Sequence, residues 1–332
     1  MSLSSDHLRG LAVRRLFMAT FFWGLSFPVM RALGLLQAEV APGGDSWTMT
    51  AAATFARFGT AALLVAAVCW RDVARMTWLE VYQGGGLGLF GGVGILFQMD
   101  GLAYTSASTS AFLTQSYCVL LPVCVAARDR RRPGPRIWAS CVMVLAGVAV
   151  LGRFSPLHFR LGRGEGETLL GALIFTGQIL WLERPLFRMN KASNFSVAMF
   201  LAMALVCSTL AGRPGSLRDW GAIYGSGRFW IFASVLIGPC TASYLVMNKW
   251  QPFIPATEAG LIYGFEPLWA SLFALFVPGL ISRSTGLAYE NETATWTLVL
   301  GGGLITGANF LVQLAGRPDP ALARPGLETG QS

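Results

Sequence analysis

The sequence predicts an all-α integral membrane protein, with ten transmembrane helices arranged as two inverted five-helix repeats. Three observations lead to it. Only 13% of the 332 residues are charged and 54% are hydrophobic, whereas soluble chains carry about 25% charge. Apolar runs approaching the roughly 20 residues that cross a bilayer recur from end to end, which leaves no room for a separate soluble domain. Segments 149 residues apart also repeat a pattern of small residues at helix starts.

The ten runs cover residues 15–34, 50–70, 82–103, 107–127, 137–153, 168–187, 195–212, 229–248, 257–280 and 296–315. The first extends from Leu16 to Arg31 without a small-residue cleavage site, so it reads as a spanning helix and not as a removable signal peptide. Residues 15–153 form the first predicted repeat and 168–315 the second. The Pro-rich, polar segment 316–332 reads as a disordered cytoplasmic tail. Two connections are long, the segment 35–48 and the segment 280–295.

Lys and Arg set the orientation. With the amino terminus in the cytoplasm, sixteen of the 25 fall inside and eight outside, and Arg57 lies within a span. Both termini are therefore expected in the cytoplasm. Arg130, Arg131 and Arg132 form the strongest inside anchor, and the same asymmetry accounts for the net charge of +8. A basic run this short is a topology signal and not a nucleic-acid site.

The stretch TSASTSAFLTQSY, residues 105–117, carries seven Ser or Thr hydroxyls between apolar runs. A shift of 149 lays it on IPATEAGLIYGFE, residues 254–266, with Ala107 on Ala256 as the single identity. The pattern is closer than the identity: in both places a helix ends, a short turn follows and a small-residue segment opens the next helix. The preceding helices carry small residues four apart, Gly84, Gly88, Gly92 and Ser234, Gly238, Ala242, the spacing that lets helices touch in lipid. Because five is odd, the second copy is inverted across the membrane, an arrangement typical of transporters. The hydroxyls have two readings: close packing with capping of a helix end, or contact with a solute.

WGLSFPVMR at 23–31, ARFGTAALL at 56–64, LAYTSASTSAFLTQSYCVLLPV at 102–123 and AGLIYGFEPLWASLFAL at 259–275 together resemble the EamA family of the drug/metabolite transporter (DMT) superfamily. The resemblance spans residues 15–315. It implies a ten-helix inner-membrane permease or exporter with cytoplasmic termini and a substrate cavity between inverted halves. Two places depart from the family pattern of a Gly-Glu pair after the fourth and ninth helices. The first reads ARDRRRPG, with Asp129 as its acid, and the second holds an insertion that displaces Glu290 or Glu292.

Charge within lipid costs about 2.5–3.5 kcal/mol at a helix centre, so ionisable residues there are candidates for function. Glu266 falls about nine residues into the ninth helix, roughly 14 Å deep and near the midplane. Pro267 follows and frees the Tyr263 carbonyl beside it. Glu266 either binds a cationic group or proton, or holds neighbouring helices together. Arg57 either binds a carboxylate, pairs with an acid or snorkels to the interface. Trp23, Gln115, Tyr117, Gln178, Trp181, Tyr263 and Asn309 complete the candidate substrate site, each with interhelical packing as its alternative. Trp23 and Trp181 hold comparable places in the opening helices of the two halves, with Arg31 and Arg188 eight and seven residues later.

An enzyme would need clustered His, Asp or Cys at one face. The two His, His7 and His158, lie outside the apolar runs, and the six Cys show no metal spacing. No metal and no cofactor is expected. A channel is disfavoured by the lack of a filter-like segment. The expected function is transport of a small polar metabolite, such as an amino acid, with a lipid flippase-like or non-transporting membrane protein as the alternative. The expected partners are a small-molecule substrate, membrane lipid and, as an open case, a second copy in a homodimer; no nucleic acid is expected.

Overall fold

The computed structural model describes residues 5–128, 130, 134–151 and 162–315. Asp129, Arg131, Arg132, His158 and the predicted tail 316–332 lie outside the described residues. Among those described there are fifteen α-helices and no strand. They are α1 (Ser5–Val40), α2 (Ser46–Val68), α3 (Trp70–Val73), α4 (Trp78–Leu102), α5 (Ala107–Thr114), α6 (Tyr117–Arg128), α7 (Pro135–Leu151) and α8 (Arg163–Leu182). There follow α9 (Ala192–Ser208), α10 (Ser216–Gly225), α11 (Gly227–Trp250), α12 (Ala256–Tyr263), α13 (Glu266–Ala274), α14 (Val277–Thr285) and α15 (Trp296–Ala315).

Six helical segments are long and apolar enough to cross a membrane, and the pair α13–α14, bent by 47°, makes a seventh if counted as one span. The protein is thus an all-helical, multi-pass membrane protein. Large apolar side chains such as Leu63, Leu89, Leu145, Leu205, Ile231 and Val299 face outward, as lipid-facing positions require. Helix starts follow local chemistry. Asp45 accepts from the Thr48 amide at 3.2 Å, and Thr77 and Glu80 form a reciprocal capping box at the head of α4.

Glycine sets the closest helix contact. At Gly88 an added Cβ would lie 2.5 Å from the Ala202 Cβ, so only hydrogen fits where α4 crosses α9. Gly84 faces Ala198 and Gly92 faces Met203, in ascending order on both helices, so the two run parallel. By contrast, Ser234, Gly238 and Ala242 are exposed on α11. Equal spacing therefore does not carry equal packing in the two places. Helix α1 runs against α11, with Ser243 donating to the Ala19 carbonyl at 3.3 Å and Arg228 paired to Glu39 at 2.6 Å. It lies beside α13 through Phe17 on Phe265 and Phe21 on Trp269 and Phe273. Helices α7 and α15 form a separate pair around Val144, Leu151, Ile305 and Ala308.

Ion pairs join helix ends in two groups. Where α1 begins, Arg9 meets Glu258 (3.1 Å), Lys191 meets Asp72 (2.6 Å) and Arg128 meets Glu183 (3.6 Å). Where α1 ends, Arg163 meets the fully buried Asp100 (2.5 Å) and Arg213 meets Asp45 (2.6 Å). The segment 35–48 is no long loop. Helix α1 continues to Val40 and α2 begins at Ser46, because the run through Leu36 and Gln37 stays buried. The segment 286–295 does form an extended strap, started by Gly286 at φ +72°, a conformation glycine adopts without strain. The strap buries Leu287 and Tyr289.

Candidate functional site

The fourth and ninth predicted spans are each broken within the apolar layer. Helix α5 stops at Thr114 and α6 restarts at Tyr117, while α12 stops at Tyr263 and α13 restarts at Glu266. In the second break Pro267 sits in the first turn of α13 and has no N–H to donate to the Tyr263 carbonyl. Both breaks open on one cavity of about 70 Å³. Broken helices place backbone ends and ionisable side chains together at mid-depth, where solutes are bound in carriers.

Two opposite charges line this cavity, Arg57 from α2 and Glu266 from α13. Arg57 is 4% exposed and does not snorkel. Its guanidinium lies 4.9 Å from the Phe58 ring centre, Nη1 is 3.3 Å from the Met30 sulfur, and Nε has no hydrogen-bond partner among the described residues. Glu266 is 8% exposed, and its Oε2 accepts from Gln115 Nε2 at 3.3 Å. Among the described residues neither forms an ion pair. A buried guanidinium and a buried carboxyl group thus face one space with no ion pair between them, a costly arrangement unless a bound group or a proton satisfies them.

Aromatic rings form one wall. Trp23 meets Tyr244 and Tyr263 edge to face, at 5.7 and 5.4 Å between ring centres, and its Nε1 has no hydrogen-bond partner among the described residues. Tyr263 donates to Gln251 Oε1 at 2.8 Å, which fixes its ring. Gln115 Nε2 also donates to the Tyr117 hydroxyl at 3.1 Å. Gln178 lines the cavity and donates to the Leu87 carbonyl at 3.3 Å.

Of the residues expected at the site, Trp23, Arg57, Tyr117, Gln178, Tyr263 and Glu266 come together, and Gln115 stands behind Glu266. Trp181 and Asn309 do not join them. Trp181 covers Gly86, donates to the Gln83 carbonyl at 3.2 Å and carries Arg184 at 3.7 Å from its ring. Asn309 borders a separate small cavity beside Gly264 and Phe265. Ser26, Met30 and Phe175 line the site without having been singled out, because small, sulfur and apolar residues carry no distinguishing signal within apolar runs.

The hydroxyl stretch resolves residue by residue. Ser106 accepts from the Thr109 amide at 3.1 Å and caps α5. Ser110 meets Thr168 at 3.3 Å, tying α5 to α8, and Thr105 donates to Glu165 at 3.0 Å. Thr114 accepts from Gln98 Nε2 at 2.9 Å and, with Tyr117, reaches the cavity. Capping and close packing occupy most of the stretch, and its last turn belongs to the site.

A second cluster caps the end of the bundle where α1 finishes. Arg31 Nη1 donates to the carbonyls of Leu102, at 2.7 Å, and Ala103. Tyr289 and Glu292 of the strap stand within electrostatic reach of Arg31. Burial pushes the Tyr289 phenol above its usual range, Glu292 adds to this and Arg31 opposes it. A second cavity of about 30 Å³ is lined by Arg31 and by Met30, which also lines the central one.

Comparison with known proteins accords with these features. Residues 12–153 match the EamA-like transporter family. One solved structure, described only as the crystal structure of a protein, is 19% identical and covers 92% of this chain and 98% of its own, with a TM-score of 0.57. At that identity the likeness shows the fold alone. No curated protein matches. The chain is a multi-pass membrane protein whose residues 12–153 are similar to the EamA-like transporter family, part of the drug/metabolite transporter superfamily.

Proposed function

We propose that the protein is a secondary transporter that moves a small zwitterionic metabolite, such as an amino acid or a related solute, by alternating access. The observation that carries this reading is one cavity lined by both Arg57 and Glu266, neither of which is ion-paired among the described residues. A guanidinium binds carboxylate in a planar fork, and a buried carboxylate binds ammonium. A solute with both groups neutralises both walls at once. The rings of Trp23, Tyr244 and Tyr263 would pack on its apolar part.

Ten crossings in two inverted halves, residues 15–153 and 168–315, are part of the proposal. Helix bounds support it. Trp78 and Gly227, which open α4 and α11, lie 149 residues apart, as do Ala107 and Ala256, and Tyr117 and Glu266. Taken singly, α7, α8 and α15 fall short of length or apolarity, and α13 and α14 qualify only as a bent pair; α7 packs on α15 and α8 on α4.

Both termini are placed in the cytoplasm of an inner-membrane protein, on the excess of Lys and Arg at that end. Cysteine introduced at Leu217, which is exposed on α10, should react with an impermeant thiol reagent applied outside intact cells. Cysteine at Gly134 should react only after the membrane is opened. The reverse pattern contradicts the orientation. For the function itself, purified protein in liposomes should move a small zwitterion saturably. Chemical turnover of a lipid or soluble compound in its place would contradict a carrier.

A further inference from the structure

The two short helices that open the broken spans, α5 and α12, are each held by a carboxylate that arrives from another part of the chain. At the start of α5, Glu292 of the strap accepts from the Ala107 amide at 2.7 Å and the Ser108 amide at 3.4 Å, and also from the Ser108 hydroxyl. At the start of α12, Glu183 accepts from the Ala256 amide at 3.1 Å. Ala107 and Ala256 lie 149 residues apart. An arginine accompanies each carboxylate. Arg31 donates to the carbonyls of Leu102 and Ala103, and Arg188 donates to the carbonyl of Pro252 at 2.5 Å. Ala103 and Pro252 are again 149 residues apart. The arrangement is thus repeated, once at the end where α1 finishes and once at the end where it begins.

A carboxylate on a helix N-terminus makes charge-assisted hydrogen bonds to amides that have no partner within the helix, and it meets the positive end of the helix dipole. Such a contact holds firmly yet can be released, since water also satisfies both sides. The strap that carries Glu292 is anchored on three sides. The Glu292 amide donates to the Ala274 carbonyl at 2.9 Å, Asn291 accepts from the Gly279 amide at 2.6 Å, and Leu287 and Tyr289 are buried. Release of Glu292 therefore removes the tie that the strap makes between the start of α5 and the pair α13 and α14. On the other face Glu183 also pairs with Arg128 at 3.6 Å, so its release removes a tie from the end of α8 to both α6 and α12.

We infer that Glu292 and Glu183 are the two gate latches of the carrier, each closing the cavity to one face by holding the start of a broken span. The inference rests on the proposed transport function. In this structure both latches are engaged, and the central cavity lies between them. Alternating access then requires one to open while the other stays shut, and the matching positions at Ala107 and Ala256 give the two faces the same device. Arg31 and Arg188 position the turns that the latches close upon.

The test is accessibility by side. A reporter cysteine replaces Ser26 in the cavity of a chain whose six native Cys have been removed. Its reaction with an impermeant thiol reagent is followed in vesicles of each orientation. E292Q should raise the reaction rate about tenfold from the strap face alone, the shift expected when charge-assisted hydrogen bonds are lost. E183Q should do the same from the opposite face alone. A rise from both faces, from the wrong face or from neither overturns the inference, because a merely structural role has no sidedness. A second variant does not depend on loosening the fold. E292C with S108C, oxidised to a disulfide, should stop transport and close the strap face, and reduction should restore both. Unchanged transport in the oxidised form also overturns the inference. Saturable transport by the parent in the same vesicles separates the two proposals: an active parent without the sided shift removes the latches and leaves the carrier.

Discussion

Glu266→Gln is expected to reduce transport by about 30-fold or more, the equivalent of the 2–5 kcal/mol lost when a buried charge partner is removed. Inserted protein and its thermal midpoint should stay near those of the parent. The carboxylate holds no ion pair among the described residues, and its one side-chain partner is Gln115 at 3.3 Å. Glutamine keeps the shape and can exchange donor and acceptor with Gln115, so a purely structural role survives the change. What disappears is the negative wall of the cavity. Transport measured across pH in both proteins checks this directly. Parent-like flux at every pH would make Glu266 structural and leave Arg57 as the charge that matters.

Arg57→Met is expected to separate stability from function in the opposite sense. Arg57 is 4% exposed, lies over Phe58, and leaves Nε without a hydrogen-bond partner among the described residues. A charge so placed costs the fold up to about 3 kcal/mol. Methionine fills similar space beside Met30 without that cost, so the variant should melt no lower than the parent and even higher. Transport should nonetheless fall by about 30-fold or more, because the carboxylate of the solute loses its fork of donors. Melting in detergent and flux in liposomes give the two readings. A variant that melts well below the parent would show that Arg57 serves packing.

Much of the architecture was legible because lipid is a demanding solvent. Expected spans at 50–70, 82–103, 137–153 and 229–248 fall within a few residues of α2, α4, α7 and α11, since apolar runs end where the bilayer does. Glu266 and Arg57 were legible for the same reason: a charge inside an apolar run has a cost that invites a function. The break at 115–116 was not, because Gln115 and Ser116 are tolerated within a helix, whereas Pro267 signalled the one at 264–265 by freeing the Tyr263 carbonyl. The contact of Glu292 with Ala107 joins residues 185 apart, and no local pattern encodes it. Trp181 misled through its position. It matches Trp23 in order along the chain, yet Gly86 offers it a flat seat on α4, away from the cavity. The small residues of α11 misled as well, since spacing permits close packing without supplying a partner.

The most direct test of the central claim, that Arg57 and Glu266 together form a site for a zwitterion, is competition in liposomes. Saturable uptake of a small zwitterion is measured against analogues that lack only the ammonium or only the carboxylate. Each analogue should compete about tenfold or more weakly than the parent compound, because each leaves one buried group without its partner. Glu266→Gln should narrow the gap for the analogue without the ammonium, and Arg57→Met should narrow it for the analogue without the carboxylate. Equal competition by all three compounds, in the parent protein and in both variants, would contradict that claim.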